Sequence, residues 1–196
     1  MYGLMPQFPI IERHLPYVSR LNSRITSSVD MVVIHCTELP DLEAARDYGE
    51  KLHYQESGTG NSGHFYIERS GKIEQWVPID RIAHHVRGHN ETSIGIELDN
   101  RGRFPDWFDS RNQDMTQVYS DTQLDALIAL LEQLQADCPS LQWIAGHQDL
   151  DSSQVPSSDR PAIMVPRKMD PGPLFPWKKI LASTSLTRLS PDSSSL

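Results

Sequence analysis

Two histidines in this chain sit where a short apolar run ends. His35 closes the run MVVIH, and His147 follows WIAG directly. Short apolar runs of this kind read as buried strands. In open α/β sheets ligand sites gather beyond the carboxyl ends of strands, so two imidazoles placed there are candidates to converge. Neutral imidazole is the commonest metal ligand, and two need only one carboxylate to complete a catalytic zinc set with an open position. The segment RKMDPGP, residues 167–173, offers that carboxylate. Pro171 biases Asp170 toward extended backbone, where Lys168 and Asp170 share a side and Met169 points away. One short segment thus brings a metal-ligating oxygen and an ammonium able to stabilise an oxyanion to the same spot. In SIGIELDN, Ile94, Ile96 and Leu98 share one face, leaving Gly95 and Glu97 on the other. A glutamate beside a glycine on an otherwise apolar strand suits a general base facing a cleft.

Taken singly, each feature has a bland counterpart: a hydrogen-bonded core histidine, a solvated surface turn, an edge strand with a glutamate toward water. The local zinc-protease motif HExxH is absent.

The elements that must position these residues are legible in outline. After an irregular, proline-marked stretch over residues 1–28 comes the MVVIH strand. A helix is expected from Asp41 as N-cap, with Leu42, Ala45 and Leu52 near helical spacing, although Gly49 weakens it. HFYIE and KIEQWV, joined by Arg69-Ser70-Gly71, read as a hairpin, and SIGIEL as a further strand. Residues 99–119 read as a long polar loop. Ser120 and Gln123 form a capping-box signature before an apolar stripe of Leu124, Leu127, Ile128, Leu131 and Leu134. LQWIA reads as another strand, DSSQVPSSDRP as an extended polar loop, and PLFPWKKILA as a last short helix. Strands and helices mix at both hairpin and crossover spacings. The fold class is therefore α/β, a single domain with a mixed central sheet flanked by helices, its body at 29–182 and a frayed Ser-rich tail at 183–196.

At 196 residues the chain suits one domain with a sizeable core. A formal charge of −8 argues against nucleic acid or an anionic membrane surface as the main partner, and no apolar run reaches the ~18 residues of a membrane span. The N-terminal stretch has no signal-like pattern, so a cytoplasmic location is the simplest expectation. Cys36 and Cys138 form no CxxC pair and are expected as free, buried thiols.

Taken together and in order, VVIHCTE, GHFYIERSGKIEQWVP, NETSIGIELDN, IAGHQDL and KMDPGP resemble the N-acetylmuramoyl-L-alanine amidase type 2 family. That family takes in AmpD-like recycling amidases, phage amidases and peptidoglycan recognition proteins. The resemblance covers about residues 29–178. It implies a mixed sheet flanked by helices and a Zn2+ ion held by His35, His147 and Asp170. Glu97 matches the family's glutamate and Lys168 the lysine two residues before the third ligand. The implied reaction is hydrolysis of the amide between the lactyl group of muramic acid and L-alanine, with Glu97 moving the proton and Lys168 stabilising the oxyanion. Peptidoglycan fragments are the implied partners. His64 and Asn90 are candidate substrate contacts, each with a structural hydrogen bond as its alternative.

Two departures stand out. Residues 148–167 are longer than the usual AmpD-like connection. His85 aligns with the family histidine of a tryptophan-histidine-alanine-glycine stretch, but the tryptophan is absent. A non-catalytic peptidoglycan binder of the same fold is the main alternative, and a zinc hydrolase of another amide a third. No separate wall-binding module is recognisable, which favours a small soluble substrate.

Overall fold

The computed structural model describes residues 8–190. The strands are β1 (Ile10–Glu12), β2 (Met31–Cys36), β3 (Phe65–Ile67), β4 (Ile73–Gln75), β5 (Ser93–Leu98), β6 (Trp143–Gly146), β7 (Gln154–Pro156), β8 (Met164–Pro166) and β9 (Thr187–Arg188). The helices are α1 (Leu42–Gly49), α2 (Asp121–Asp137), α3 (His147–Leu150) and α4 (Trp177–Ala182). Seven strands form one mixed sheet in the order β1-β4-β3-β5-β2-β6-β9, and β7 and β8 form a separate hairpin. The β3–β4 pair is antiparallel, as the hairpin signal requires, and the other pairings of the main sheet are parallel.

Centrality explains why β2 reads as an uninterrupted apolar run. It lies between β5 and β6 and is buried at every position, so neither face can be polar. β5 is also interior, between β3 and β2, which removes the edge-strand reading of Glu97. Ile94, Ile96 and Leu98 are fully buried in the main core with α2.

The helix starts follow their caps. Asp41 Oδ1 accepts from the Ala44 amide at 2.8 Å and Ser120 Oγ from the Gln123 amide at 3.1 Å. The expected capping box is only half formed. The Gln123 side chain turns into the core and donates to the carbonyls of Ile67 and Asp99 instead, tying α2 to the sheet. Leu130 joins the buried stripe of α2, while Ile128 is half-buried. α1 ends at Gly49, and Leu52 lies beyond it, exposed.

Three expectations from sequence are revised. The first 28 residues are not wholly irregular: β1 adds to β4 at one margin, and Leu15, Tyr17 and Leu21 are buried. At the other margin β9 pairs with β6 and Leu186 is buried, so the sheet continues past Ser183; residues 191–196 lie outside the described part. The polar stretch 151–161 contributes a strand, because Val155 pairs with Val165 across the β7–β8 hairpin. Both cysteines are free and buried. Among the described residues no helix is long and apolar enough to cross a membrane.

Candidate metal centre and cleft

His35 and His147 meet because β2 and β6 are parallel neighbours. Ile34 pairs with Gly146, so His35, near the end of β2, and His147, just past β6, lie side by side at the same end of the sheet. Asp170 arrives from a separate segment, and its backbone carbonyl accepts from the Gln148 amide at 3.0 Å. That approach needs a glycine at 146, since a Cβ there would lie 2.8 Å from Pro171 Cδ. The three side chains are buried. Asp170 Oδ2 lies 2.9 Å from His35 Nδ1 and 3.1 Å from His147 Nδ1. The imidazole rings stand edge to face, with centroids 4.6 Å apart.

The donor atoms of these three residues all lie within 4.8 Å of one another. Whether the cluster suits a cation can be judged from what its atoms lack. Asp170 Oδ1 and His147 Nε2 are buried without hydrogen-bond partners, and a single oxygen, Asp170 Oδ2, faces two ring nitrogens. Buried polar atoms left without partners are costly unless a charge reaches them. Two nitrogens and one oxygen also form a donor set of the kind found in catalytic zinc sites. The residues fit a divalent ion.

Electrostatics agree with that reading. Burial pushes His35 down to about 4, against the hydrogen bond that its charged form would donate to Asp170. Burial would lift the Asp170 carboxyl, but His147 first, then His35 and Lys168, outweigh it and hold Asp170 well below the carboxylate range. The carboxylate is thus ionised and His35 neutral at pH 7, the forms that bind metal.

Glu97 is the strand partner of His35 across the β2–β5 pair. Burial first, then the charge of Asp170, raises its carboxyl to about 8, with Lys168 acting in the opposite direction. Glu97 and Lys168 line the same cleft of about 610 Å3 as His35, His147 and Asp170. Met169 packs on the core between Lys168 and Asp170, as the alternation of an extended segment requires.

The two candidate substrate contacts fare differently. His64 is completely buried. Its Nδ1 accepts from the Gly95 amide at 3.0 Å, and its Nε2 lies 3.0 Å from the Arg81 carbonyl and 2.9 Å from Arg24 Nη2. Both ring nitrogens are thus engaged by the protein. Asn90 lines the cleft, but its Oδ1 already accepts from the amides of His85 and Val86 at 3.0 and 2.8 Å.

Sequence reasoning missed the clamp that shapes the cleft wall. Arg103 Nε and Nη2 donate to the two oxygens of Glu38 at 2.8 and 3.0 Å, and Nη1 donates to the Pro166 carbonyl at 2.9 Å. Trp107 Nε1 donates to the Glu38 carbonyl at 2.9 Å. In sequence, Arg103 is one arginine of a polar loop, with nothing to separate it from a solvated side chain. Ser110 and Asp159 also bond across to each other, fastening the long loop to the β7–β8 insertion.

The family model described as N-acetylmuramoyl-L-alanine amidase matches residues 25–173, about three quarters of the chain. The chain belongs to the N-acetylmuramoyl-L-alanine amidase family. Among its relatives is the 1,6-anhydro-N-acetylmuramyl-L-alanine amidase AmpD of Salmonella typhimurium, 30% identical over 135 residues that cover 64% of this chain and 58% of the relative. The chain thus spans little more than half the length of that relative. Among solved structures, the amidase LysC from Clostridium intestinale superposes with a TM-score of 0.64 at 21% identity, covering 91% of this chain and 99% of that one, and shows the shared fold. The AmiD amidase of E. coli, solved with anhydro-N-acetylmuramic acid-L-Ala-D-gamma-Glu-L-Lys, gives a TM-score of 0.60 at 26% identity over 82% of this chain and 59% of that one.

Proposed function

We propose that this protein is a zinc-dependent N-acetylmuramoyl-L-alanine amidase that hydrolyses the amide between the lactyl group of muramic acid and L-alanine in peptidoglycan fragments. The observation that carries the reading is the meeting of His35, His147 and Asp170 at the floor of a cleft that also holds Glu97 and Lys168. Family membership supports it, as do the activities of the relatives. A cleft of about 610 Å3 lies within the ~300–1,000 Å3 range of small-ligand sites, which favours a muropeptide over a long glycan strand. A soluble fragment of this kind agrees with a cytoplasmic site of action.

In this scheme His35, His147 and Asp170 hold zinc, which when bound supplies a Lewis acid that polarises the scissile carbonyl and acidifies water. Glu97, on an interior strand and half-buried at the cleft, takes the proton from the attacking water and returns it to the departing L-alanine nitrogen. Its raised pKa suits both directions of transfer, since a group poised near neutrality gives a proton as readily as it takes one. Lys168, beside the third ligand, donates to the oxyanion that develops on the lactyl carbonyl. A non-catalytic binder of this fold would have no use for Glu97 and Lys168 beside a complete ligand set.

The test is an assay of chelated and zinc-reconstituted protein on anhydromuropeptide and on intact sacculi, with products identified by mass spectrometry. Release of an L-alanine-terminated peptide, lost on chelation and restored by zinc, is the expected result. Undiminished cleavage by metal-free protein contradicts the scheme.

A further inference from the structure

His85 has no role in the scheme above, yet it touches a residue that does. Its Nδ1 lies 3.0 Å from His35 Nε2, and the two rings stand nearly perpendicular, at 85°. Its Nε2 lies 3.3 Å from Ser93 Oγ, and Ser93 Oγ donates to the His89 carbonyl at 2.7 Å. Its backbone amide is fixed by Asn90 Oδ1. The ring occupies the space above Gly95, where a Cβ would come within 2.6 Å of it. Ser93, Gly95 and Glu97 alternate on one face of β5, so the strand that presents the candidate base also seats this imidazole.

The direction of these hydrogen bonds follows from the far end of the chain. The His89 carbonyl has no proton to give and can only accept. The single hydroxyl proton of Ser93 is committed to it, at the shorter of the two contacts. Ser93 Oγ must then accept from His85 Nε2–H. A neutral imidazole protonated at Nε2 carries a lone pair at Nδ1, so His85 Nδ1 accepts from His35 Nε2–H. That leaves the lone pair of His35 at Nδ1, the atom 2.9 Å from Asp170 Oδ2. Two acceptors facing each other at that distance repel, and a cation between them relieves the repulsion.

We infer that His85 is a positioning residue whose hydrogen-bond relay through Ser93 to the His89 carbonyl fixes His35 as its Nε2–H tautomer and so readies His35 Nδ1 as a metal ligand before any metal arrives. The inference rests on the metal-site reading above. It assigns a task to a side chain the amidase scheme leaves idle. It also sets the two histidine ligands apart, because among the described residues His147 Nε2 has no partner to orient it in the same way.

The tautomer is read directly by long-range 1H–15N correlation spectra of metal-free, 15N-histidine-labelled protein. The expected spectrum shows His35 protonated at Nε2; a His35 protonated at Nδ1, donating to Asp170, overturns the relay. Zinc affinity, measured by competition with a fluorescent chelator, supplies the second readout. His85→Ala is expected to weaken binding about 10–100-fold, the usual effect of losing a partner that orients a ligand. His85→Asn, whose side-chain oxygen can stand near the former Nδ1, is expected to recover most of it. Binding by His85→Ala within about threefold of wild type overturns the inference. Wild-type protein that binds no zinc overturns the metal-site reading instead, and the tautomer spectrum of that same protein still decides the relay.

Discussion

Arg103→Ala removes a side chain that ties three segments at the cleft together. Arg103 is 1% exposed and holds both carboxylate oxygens of Glu38 just past β2, together with the carbonyl of Pro166 two residues before Lys168. Truncation leaves Glu38, 9% exposed in the intact protein, without its cation. Breaking a buried ion pair from one side costs about 3–5 kcal/mol, because the abandoned charge remains buried. Domains commonly hold only about 5–15 kcal/mol in total, so the variant is expected to lose from about a fifth to most of its stability. At a urea m-value of about 2–3 kcal/mol/M, the unfolding midpoint falls by about 1–2.5 M. Equilibrium urea unfolding followed by fluorescence measures this, Trp107 being bonded to the same clamp. The double variant Glu38→Gln/Arg103→Met should regain part of the loss, since it leaves no unpaired buried charge. A midpoint shift under about 0.3 M for Arg103→Ala, or a double variant weaker than the sum of the single ones, would refute the reasoning.

Further outcomes follow from the charges. Glu97→Gln should retain zinc and lose about 10²–10⁴-fold in turnover. In the metal-free protein the Glu97 carboxyl should titrate near 8 by 13C NMR, and the acid limb of kcat/KM should fall below that value, because a bound dication favours the carboxylate; a limb unchanged in Glu97→Gln would remove it from the mechanism. For Glu74, burial acts to raise its pKa, but hydrogen bonds from Lys72 and Trp76 and the charges of Lys72 and Arg13 prevail and depress it. A depressed carboxyl contributes stability above its unfolded pKa and loses it as pH falls through the folded one. Glu74→Gln should therefore destabilise most at neutral pH, and the gap to wild type, measured by thermal unfolding, should close as pH drops; a gap that widens in acid contradicts the assignment.

The sequence revealed the strands that carry the site more readily than the loops that enclose it. β2 is legible because burial on both faces demands an unbroken apolar run, and a polar residue ending that run, His35, stands out against it. The same logic exposes His147 after β6 and Glu97 on β5. Asp170 was legible only through its proline and its alternation with Lys168, which is a local signal. The contacts that are not local left no such trace. The fully buried ring of His64 differs from a cleft histidine only through Arg24, Arg81 and Gly95, the first two 40 and 17 residues away. The pairing of Arg103 with Glu38 spans 65 residues, and no periodicity records it. β1 and β9 are short margins whose pairing depends on the sheet being present already, so propensity alone left them irregular.

The central claim is that two imidazoles and one carboxylate from three distant segments grip a single zinc ion. X-ray absorption spectroscopy of the zinc-loaded protein measures that shell directly. The account predicts one ion per chain with only nitrogen and oxygen neighbours at about 2.0–2.1 Å, outer-shell scattering from two imidazole rings, and loss of the signal in Asp170→Ala. A sulfur neighbour, a single imidazole, or an unaltered spectrum in Asp170→Ala would contradict it.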